Sequence, residues 1–142
     1  MVTHQEIVEF FDKQQECWRN RDHEALARGY TPDAVIVSPI FRTVTGSPAI
    51  LESYRSLFQI FPDWDYRGED LLIDGDRVAE PFHVKATHKG EFMGLAGHGR
   101  RFEIQGVRIF EMHGGRIAHE RRYYDFTGML IQLGVLKGKP VG

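Results

Sequence analysis

The sequence lacks several features that define large classes of protein. Its 142 residues include a single cysteine, Cys17, so no disulfide can form within the chain. An unpaired cysteine is typical of a reducing compartment, which favours a cytoplasmic location. The sequence has no apolar run of the roughly 18 residues that a membrane-spanning helix needs, and its N-terminus lacks the basic start and apolar core of a signal peptide. We therefore expect no contact with a membrane.

An excess of charge of either sign is also missing. Eighteen Lys and Arg face 20 Asp and Glu, for a net charge of −2, and no long basic block occurs. This balance argues against nucleic acid as a partner. The seven histidines are scattered, without HxH, HExxH or CxxC spacing, so no metal site is predicted. No nucleophile elbow and no phosphate-binding loop are present, and we expect no cofactor.

The composition is that of a folded globular chain. Hydrophobic residues make up 42% and charged residues 27% of the sequence. The length is enough for one sizeable core, and no linker or repeat divides the chain. We expect one domain over residues 1–142.

The first half of the sequence carries helical signals. Thr3 and Glu6 have the spacing of a capping box, and apolar residues then recur at helical spacing up to Trp18. Asp22 can cap a second, short helix. A third helix is predicted with Ser47 as its cap and Pro48 at its first position, extending to about Phe61.

After this point the apolar residues alternate with a period of two, which predicts strands. The predicted strands cover residues 64–73, 77–88, 101–112 and 116–125, after a short one at 34–37. The segregation of helices and strands predicts an α+β fold, with three N-terminal helices packed on a curved, mostly antiparallel sheet. Such a cone-shaped fold encloses a natural ligand pocket.

The strand at 116–125 is unusual because both of its faces carry polar groups. Read with a period of two, His119, Arg121, Tyr123 and Asp125 share one face. Asp125 is a candidate general acid or base, although an aspartate at the end of a strand can instead cap the turn that follows it. A β-bulge would turn the other face, with Glu120, toward the interior.

Arg121 is the second candidate on this strand. It can keep Asp125 ionised or bind an oxyanion of a substrate. The alternative is an ion pair with Glu103, Glu111 or Glu120 on a solvated face. If a bulge intervenes, Arg122 and Tyr124 replace it on the pocket side.

Further candidates are spread along the chain. His88, at the start of a glycine-rich segment, can donate a hydrogen bond in the pocket, or it can be a residue of a turn. Aromatic side chains are core residues by default, but some can line the wall of a pocket for a flat substrate. The candidate substrate-binding residues are Arg108, His119, Tyr54, Trp64 and Tyr123.

Several motifs together resemble one known family. They are THKGEFMG at 87–94, Gly99-Arg100, Gly115-Arg116-Ile117, Asp125, and the closing QLG at 132–134. In this series the chain resembles the SnoaL-like polyketide cyclases, which share the fold of nuclear transport factor 2 and ketosteroid isomerase. The resemblance extends over nearly the whole chain, because earlier turns and hairpins agree with it.

The resemblance implies a reaction and a set of catalytic residues. Cyclases of this family close a ring by intramolecular aldol condensation, without a metal or cofactor, and the family's acid–base aspartate corresponds to Asp125. His88 and Arg121, which the residue pattern suggests and the resemblance does not, complete the candidate catalytic set. The resemblance also implies a homodimer that is packed through the sheet, and a small hydrophobic or aromatic molecule as the partner.

The chain departs from the family pattern at two places. The family's PPTGR is here Ala96-Gly97-His98-Gly99-Arg100, and Arg121 occupies the position of a family tryptophan. A cation at this position favours an anionic substrate. Two alternatives therefore remain open: another isomerase, lyase or epoxide-hydrolase-type activity on the same fold, and a non-catalytic module that binds a small ligand.

Overall fold

The computed structural model describes residues 2–141 and has the α+β architecture that the sequence predicts. Four helices pack against one open, curved sheet of seven strands. The helices are α1 (His4–Arg19), α2 (His23–Arg28), α3 (Ser47–Ile60) and α4 (Phe126–Gln132). The strands are β1 (Tyr30–Ser38), β2 (Arg42–Thr45), β3 (Asp65–Gly68), β4 (Leu72–Asp74), β5 (Arg77–Thr87), β6 (Arg101–His113) and β7 (Arg116–Tyr124).

The helix starts follow the predicted capping residues. The Thr3 side chain accepts a hydrogen bond from the Glu6 amide at the start of α1, and Asp22 accepts one from the Ala25 amide at the start of α2. Each cap satisfies an amide that has no partner in the first helical turn. α3 begins at Ser47 with a proline in its first turn, as predicted, but Ser47 is inside the helix and Gly46 is the capping residue.

The sheet has the strand order β2-β1-β7-β6-β5-β3, and β4 also pairs with β5. All neighbours run antiparallel except β1 and β7, which are parallel. The three long strands β5, β6 and β7 are neighbours in the middle of the sheet. Their inward side chains, with those of α1 and α3, make up one hydrophobic core.

Three elements differ from the prediction. The segment 64–73 forms two strands, β3 and β4, which both pair with β5. The pairing is interrupted next to Pro81 of β5, because proline has no amide hydrogen to donate. β1 begins at Tyr30 and is followed by β2, which was not predicted. The helix α4 was not predicted either, and it follows β7 directly with Asp125 as its cap.

β7 contains the irregularity that decides which side chains face the helices. Its pairing with β6 shifts by one residue between Met112, opposite Ile117, and Glu111, opposite His119, so that Ala118 is the additional residue. The bulge reverses the alternation of side chains beyond it. Glu120 is consequently buried, whereas Arg121 is exposed.

Within residues 2–141, no helix is both long enough and apolar enough to cross a membrane.

Candidate active site

A network of buried polar side chains lies between the central strands and the helices. It consists of two arginines, two glutamates and three tyrosines: Arg108, Arg122, Glu80, Glu120, Tyr30, Tyr54 and Tyr66. Buried charges are costly unless they are paired and hydrogen-bonded. The network satisfies this condition by joining side chains from six elements.

Arg108 is the centre of the network. On β6, its side chain is 4% exposed. Its Nε donates to Glu120 Oε2 over 2.7 Å, and its Nη1 reaches the Tyr66 hydroxyl at 3.1 Å and Glu80 Oε1 at 3.4 Å. The guanidinium also lies 4.6 Å from the centre of the Phe110 ring, a cation–π contact.

Glu120 is held as a carboxylate by two cations. Arg122 Nε donates to its Oε2 at 2.5 Å, in addition to Arg108, and the Tyr30 hydroxyl donates to Oε1. Burial alone would raise the pKa of this carboxyl, but the two guanidinium groups lower the pKa to about 2. A carboxylate with so low a proton affinity and with both oxygens occupied is a poor base.

The pKa of Glu80 is shifted in the opposite direction to that of Glu120. It is buried on β5, where its Oε1 accepts a hydrogen bond from the Tyr66 hydroxyl. Burial raises the pKa of this carboxyl, and the attraction of Arg108 only partly opposes that effect. The network therefore contains one glutamate whose pKa is lowered and one whose pKa is raised.

Arg122 connects the network to an apolar cavity. Its Nη2 donates to the Tyr54 hydroxyl over 2.9 Å, and Tyr54 is in turn 2.6 Å from the hydroxyl of Tyr30. The side chain of Arg122 is 12% exposed, which makes it more open than Arg108 or Glu120. Arg122 thus brings positive charge to the edge of the network.

The cavity next to Arg122 measures about 20 Å³, the space of about one water molecule or one small head group. Arg108 and Arg122 line it, and neither Glu80 nor Glu120 does. The remaining lining is aromatic or apolar apart from Ser38: Trp18, Ile40, Phe41, Leu57, Trp64, Tyr66, Phe82, Val84, Ile104 and Tyr124. An apolar wall around a paired cation strengthens the attraction of that cation for negative charge.

The predicted acid Asp125 does not line this cavity. It is exposed at the end of β7, where its Oδ1 accepts a hydrogen bond of 2.8 Å from the Gly128 amide and caps α4. This is the capping alternative that the sequence allowed. Its neighbour Tyr124 lines the cavity, so the carboxylate is one residue away from the lining. A catalytic role for Asp125 stays a prediction.

The expected pocket face of β7 is corrected by the bulge. Arg121 and Tyr123 are exposed, and His119 is half-buried and opposite the exposed Glu111. None of the three lines the cavity. The bulge turns Glu120, Arg122 and Tyr124 inward. These are the residues that the sequence predicts on the pocket side if β7 contains a bulge.

The other predicted residues are divided between the network, the cavity and the core. Arg108 is in the network and in the lining, Tyr54 is in the network, and Trp64 lines the cavity. His88 is completely buried between aromatic rings, and the centre of its ring is 4.9 Å from that of His98. It does not line the cavity.

Sequence reasoning missed Glu80, Tyr30, Tyr66 and Trp18. For Glu80 a signal exists, because it shares the inward face of β5 with Val78, Phe82 and Val84. A charged residue on an otherwise apolar strand face marks a buried polar site. Tyr30, Tyr66 and Trp18 carry no such signal, because tyrosine and tryptophan are ordinary core residues.

Within residues 2–141, no group of three or more His, Cys, Asp or Glu side chains is arranged so that it could hold a metal ion.

Comparison with solved structures supports the fold. AclR, a proposed hydroxylase from Streptomyces galilaeus, is 25% identical, with a TM-score of 0.82 over 97% of this chain and 87% of AclR. IdmH, a proposed polyketide cyclase from Streptomyces antibioticus, is 28% identical, with a TM-score of 0.74 over 90% of this chain and 98% of IdmH.

A more distant structure has the same fold. A proposed SnoaL-like polyketide cyclase from Jannaschia sp. CCS1 is 17% identical, with a TM-score of 0.81 over 96% of this chain and 98% of that protein. No curated protein matches the sequence. The family comparison matches residues 8–133 to the SnoaL-like polyketide cyclases, and the chain therefore belongs to the SnoaL-like polyketide cyclase family.

Proposed function

We propose that the protein is a small, cofactor-independent enzyme that closes a ring in a hydrophobic or aromatic molecule by an aldol-type reaction. Membership of the family supports this activity. The observation that carries the proposal is the position of Arg122, a buried and paired cation at the wall of an aromatic cavity. An aldol reaction passes through two oxyanions, an enolate and an alkoxide, and this cation can stabilise both.

The proposed reaction has two steps. A base removes a proton from a carbon next to a carbonyl group, and the electron pair of the broken C–H bond moves to the carbonyl oxygen as an enolate. The enolate carbon then forms a bond to a second carbonyl carbon of the same molecule, whose π electrons become an alkoxide. The protonated base returns its proton to that alkoxide. The substrate enters only if the walls of this cavity of about 20 Å³ move apart, and the apolar side chains around it then exclude water and hold the two carbons close together.

Asp125 is the residue that we propose as the base. Its Oδ1 is used by the cap of α4, and no hydrogen bond occupies its Oδ2 within residues 2–141. It adjoins Tyr124, which is part of the cavity wall. Glu120 is unsuited to the task because two arginines lower its pKa to about 2, so it has little affinity for a proton. The same saturation of Glu120 counts against a hydrolase that would use this carboxylate to activate water.

The substitution Asp125→Asn separates proton transfer from helix capping. Asparagine caps a helix about as well as aspartate but cannot serve as a base. The assay is the exchange of hydrogen for deuterium at the acidic carbon of an aromatic β-ketoester in D₂O, followed by NMR. We expect Asp125→Asn to slow exchange by about 10²–10⁴-fold.

Asp22→Asn is the matched control. Asp22 also caps a helix through one carboxylate oxygen, but it is at the start of α2. Its variant should exchange at the wild-type rate. Unchanged exchange in Asp125→Asn would remove Asp125 from the mechanism. A wild-type protein that binds the ketoester without accelerating exchange would favour the non-catalytic binding module.

A further inference from the structure

The polar groups that line the cavity are mostly hydrogen-bond donors, and three of the donors have no acceptor. Arg122 uses Nε for Glu120 and Nη2 for Tyr54, which leaves its Nη1 group without an acceptor among residues 2–141. The indole nitrogens of Trp18 and Trp64 are buried and also lack a partner there. Buried donors are seldom left unpaired in a folded protein.

All three residues border the same cavity. Trp18 is 2% and Trp64 6% exposed, so neither indole N–H is satisfied by an exposed position on the surface. The two carboxylates that could accept these bonds are directed elsewhere, since Glu80 and Glu120 do not line the cavity. Three N–H groups without an acceptor, one of them on a guanidinium, indicate a ligand that accepts hydrogen bonds and carries negative charge.

The rest of the lining restricts the body of the ligand. Tyr66 is stacked on Trp18, with ring centres 4.4 Å apart, and on Phe82, with centres 5.3 Å apart. Together with Phe41 and Tyr124, these rings surround the cavity with flat apolar surfaces. Such surfaces favour a flat, apolar molecule over a sugar or a peptide.

We propose that the cavity binds a preformed oxyanion, a carboxylate or phenolate, at the edge of a flat apolar molecule. Arg122 Nη1 and the indole N–H groups of Trp18 and Trp64 hold the oxyanion. That this anion is the substrate rests on the proposed function, whereas the anion site itself does not. If the anion is the substrate, it is already charged before the base removes a proton.

The chain provides its own reporters, because Trp18 and Trp64 are its only two tryptophans. A ¹H–¹⁵N correlation spectrum therefore contains two indole signals, and both come from the cavity. Benzoate is the probe, benzamide its neutral equivalent of nearly the same shape, and formate tests the head group alone. Since the cavity has about 20 Å³, room for about one water molecule, formate requires less displacement of the lining than benzoate does.

We expect benzoate and formate to shift both indole protons downfield, and benzamide to bind about tenfold more weakly than benzoate or worse. Arg122→Gln should abolish the preference for benzoate over benzamide. Lys85→Gln, which removes an exposed positive charge on β5, should leave it intact. If Arg122→Gln does not fold, Trp64→Phe, which keeps an aromatic ring but lacks the N–H group, should still weaken benzoate more than benzamide.

Two results would overturn the proposal. One is the absence of any indole shift with benzoate up to about 10 mM, tenfold above a Kd of about 1 mM. The other is equal affinity for benzoate and benzamide in the wild type. Neither measurement needs turnover, so the anion site can fail while the exchange assay succeeds, and the exchange assay can fail while the anion site is present.

Discussion

Glu120 is the residue on which the buried network depends most. It is fully buried and accepts hydrogen bonds from Arg108, Arg122 and Tyr30. Removing one member of a buried ion pair leaves an uncompensated charge in a medium that solvates it poorly. Glu120→Gln would leave two adjacent guanidinium groups without the carboxylate between them.

We expect Glu120→Gln to lower the free energy of unfolding by about 3 kcal/mol at neutral pH, from the lowering of the pKa to about 2. The pKa of Glu120 in the folded protein is below that of an ordinary carboxyl group. The stabilisation by Glu120 is therefore complete when the pH is above the ordinary carboxyl pKa, and it is lost as the pH falls toward about 2. Urea unfolding at pH 7 and at pH 3 measures both effects.

The difference between wild type and Glu120→Gln should shrink from pH 7 to pH 3. Glu80 is present in both proteins, but the charge of Glu120 helps to raise its pKa, so the measured difference is the net of losing Glu120 and relieving Glu80. Glu103→Gln is the control, since this glutamate is exposed and its pair with His83 should contribute less than about 1 kcal/mol. An equal loss at both pH values would show that the carboxylate is not held ionised.

Some of these residues could be found from the sequence and others could not. Arg108 shares the inward face of β6 with Ile104, Phe110 and Met112, so simple alternation predicts it as a buried charge. Glu120 and Arg122 require knowledge of the bulge at Ala118. A bulge depends on the register of two strands, and the sequence of one strand does not contain this information.

At the scale of elements, the close approach of β5, β6 and β7 determines the shape of the cavity wall. Gly106 on β6 is opposite Phe82 on β5 and Tyr124 on β7, and both of these aromatic residues line the cavity. A Cβ atom at Gly106 would lie 2.3 Å from the Tyr123 carbonyl oxygen and 2.6 Å from the Phe82 ring. The absence of a side chain here lets the Phe82 ring lie over the strand.

Gly106→Ala should therefore destabilise the protein by about 1–3 kcal/mol, as expected for an overpacked site. It should also change the chemical environment of Trp64 across the cavity. The control is Gly138→Ala, where the nearest atom would be at an ordinary contact distance of 3.6 Å. Thermal unfolding and the indole NMR signals measure the two effects. A variant with wild-type stability would mean that the strands tolerate a side chain at this position.

The larger elements were easier to predict than their connections. α1 and α2 have side-chain caps, and β5, β6 and β7 have regular alternation, so local signals agree with the final fold. α4 was missed because its seven residues contain a glycine and too few turns for a periodic pattern. The same aspartate that the family resemblance marks as catalytic is the cap that starts this helix.

At the scale of the whole molecule, the outer face of the sheet carries a row of apolar residues that is partly exposed. Pro81, Val107 and Tyr123 form a row across β5, β6 and β7, and Tyr123 is 51% exposed. Ala79 and Ile109 lie in a parallel row of partly exposed residues. Exposed apolar patches of this kind often mark contacts between proteins.

We propose that a second copy of the chain covers this face, as the family resemblance implies. A symmetric dimer brings the same patch of both copies together, so one substitution alters the interface twice. Val107→Glu and Tyr123→Glu should each convert a particle of about twice 16.4 kDa to one of 16.4 kDa in sedimentation experiments. Leu136→Glu, at an exposed apolar residue outside the sheet, should leave the mass unchanged.

The dimer test also separates the two faces of β7. Tyr123 is on the outer face and Arg122 on the cavity face, so a monomeric Tyr123→Glu variant should still distinguish benzoate from benzamide. A wild type that sediments as a monomer would contradict the dimer. A Tyr123→Glu variant that is monomeric and no longer binds benzoate would mean that the cavity depends on the partner, because the substituted side chain does not reach it.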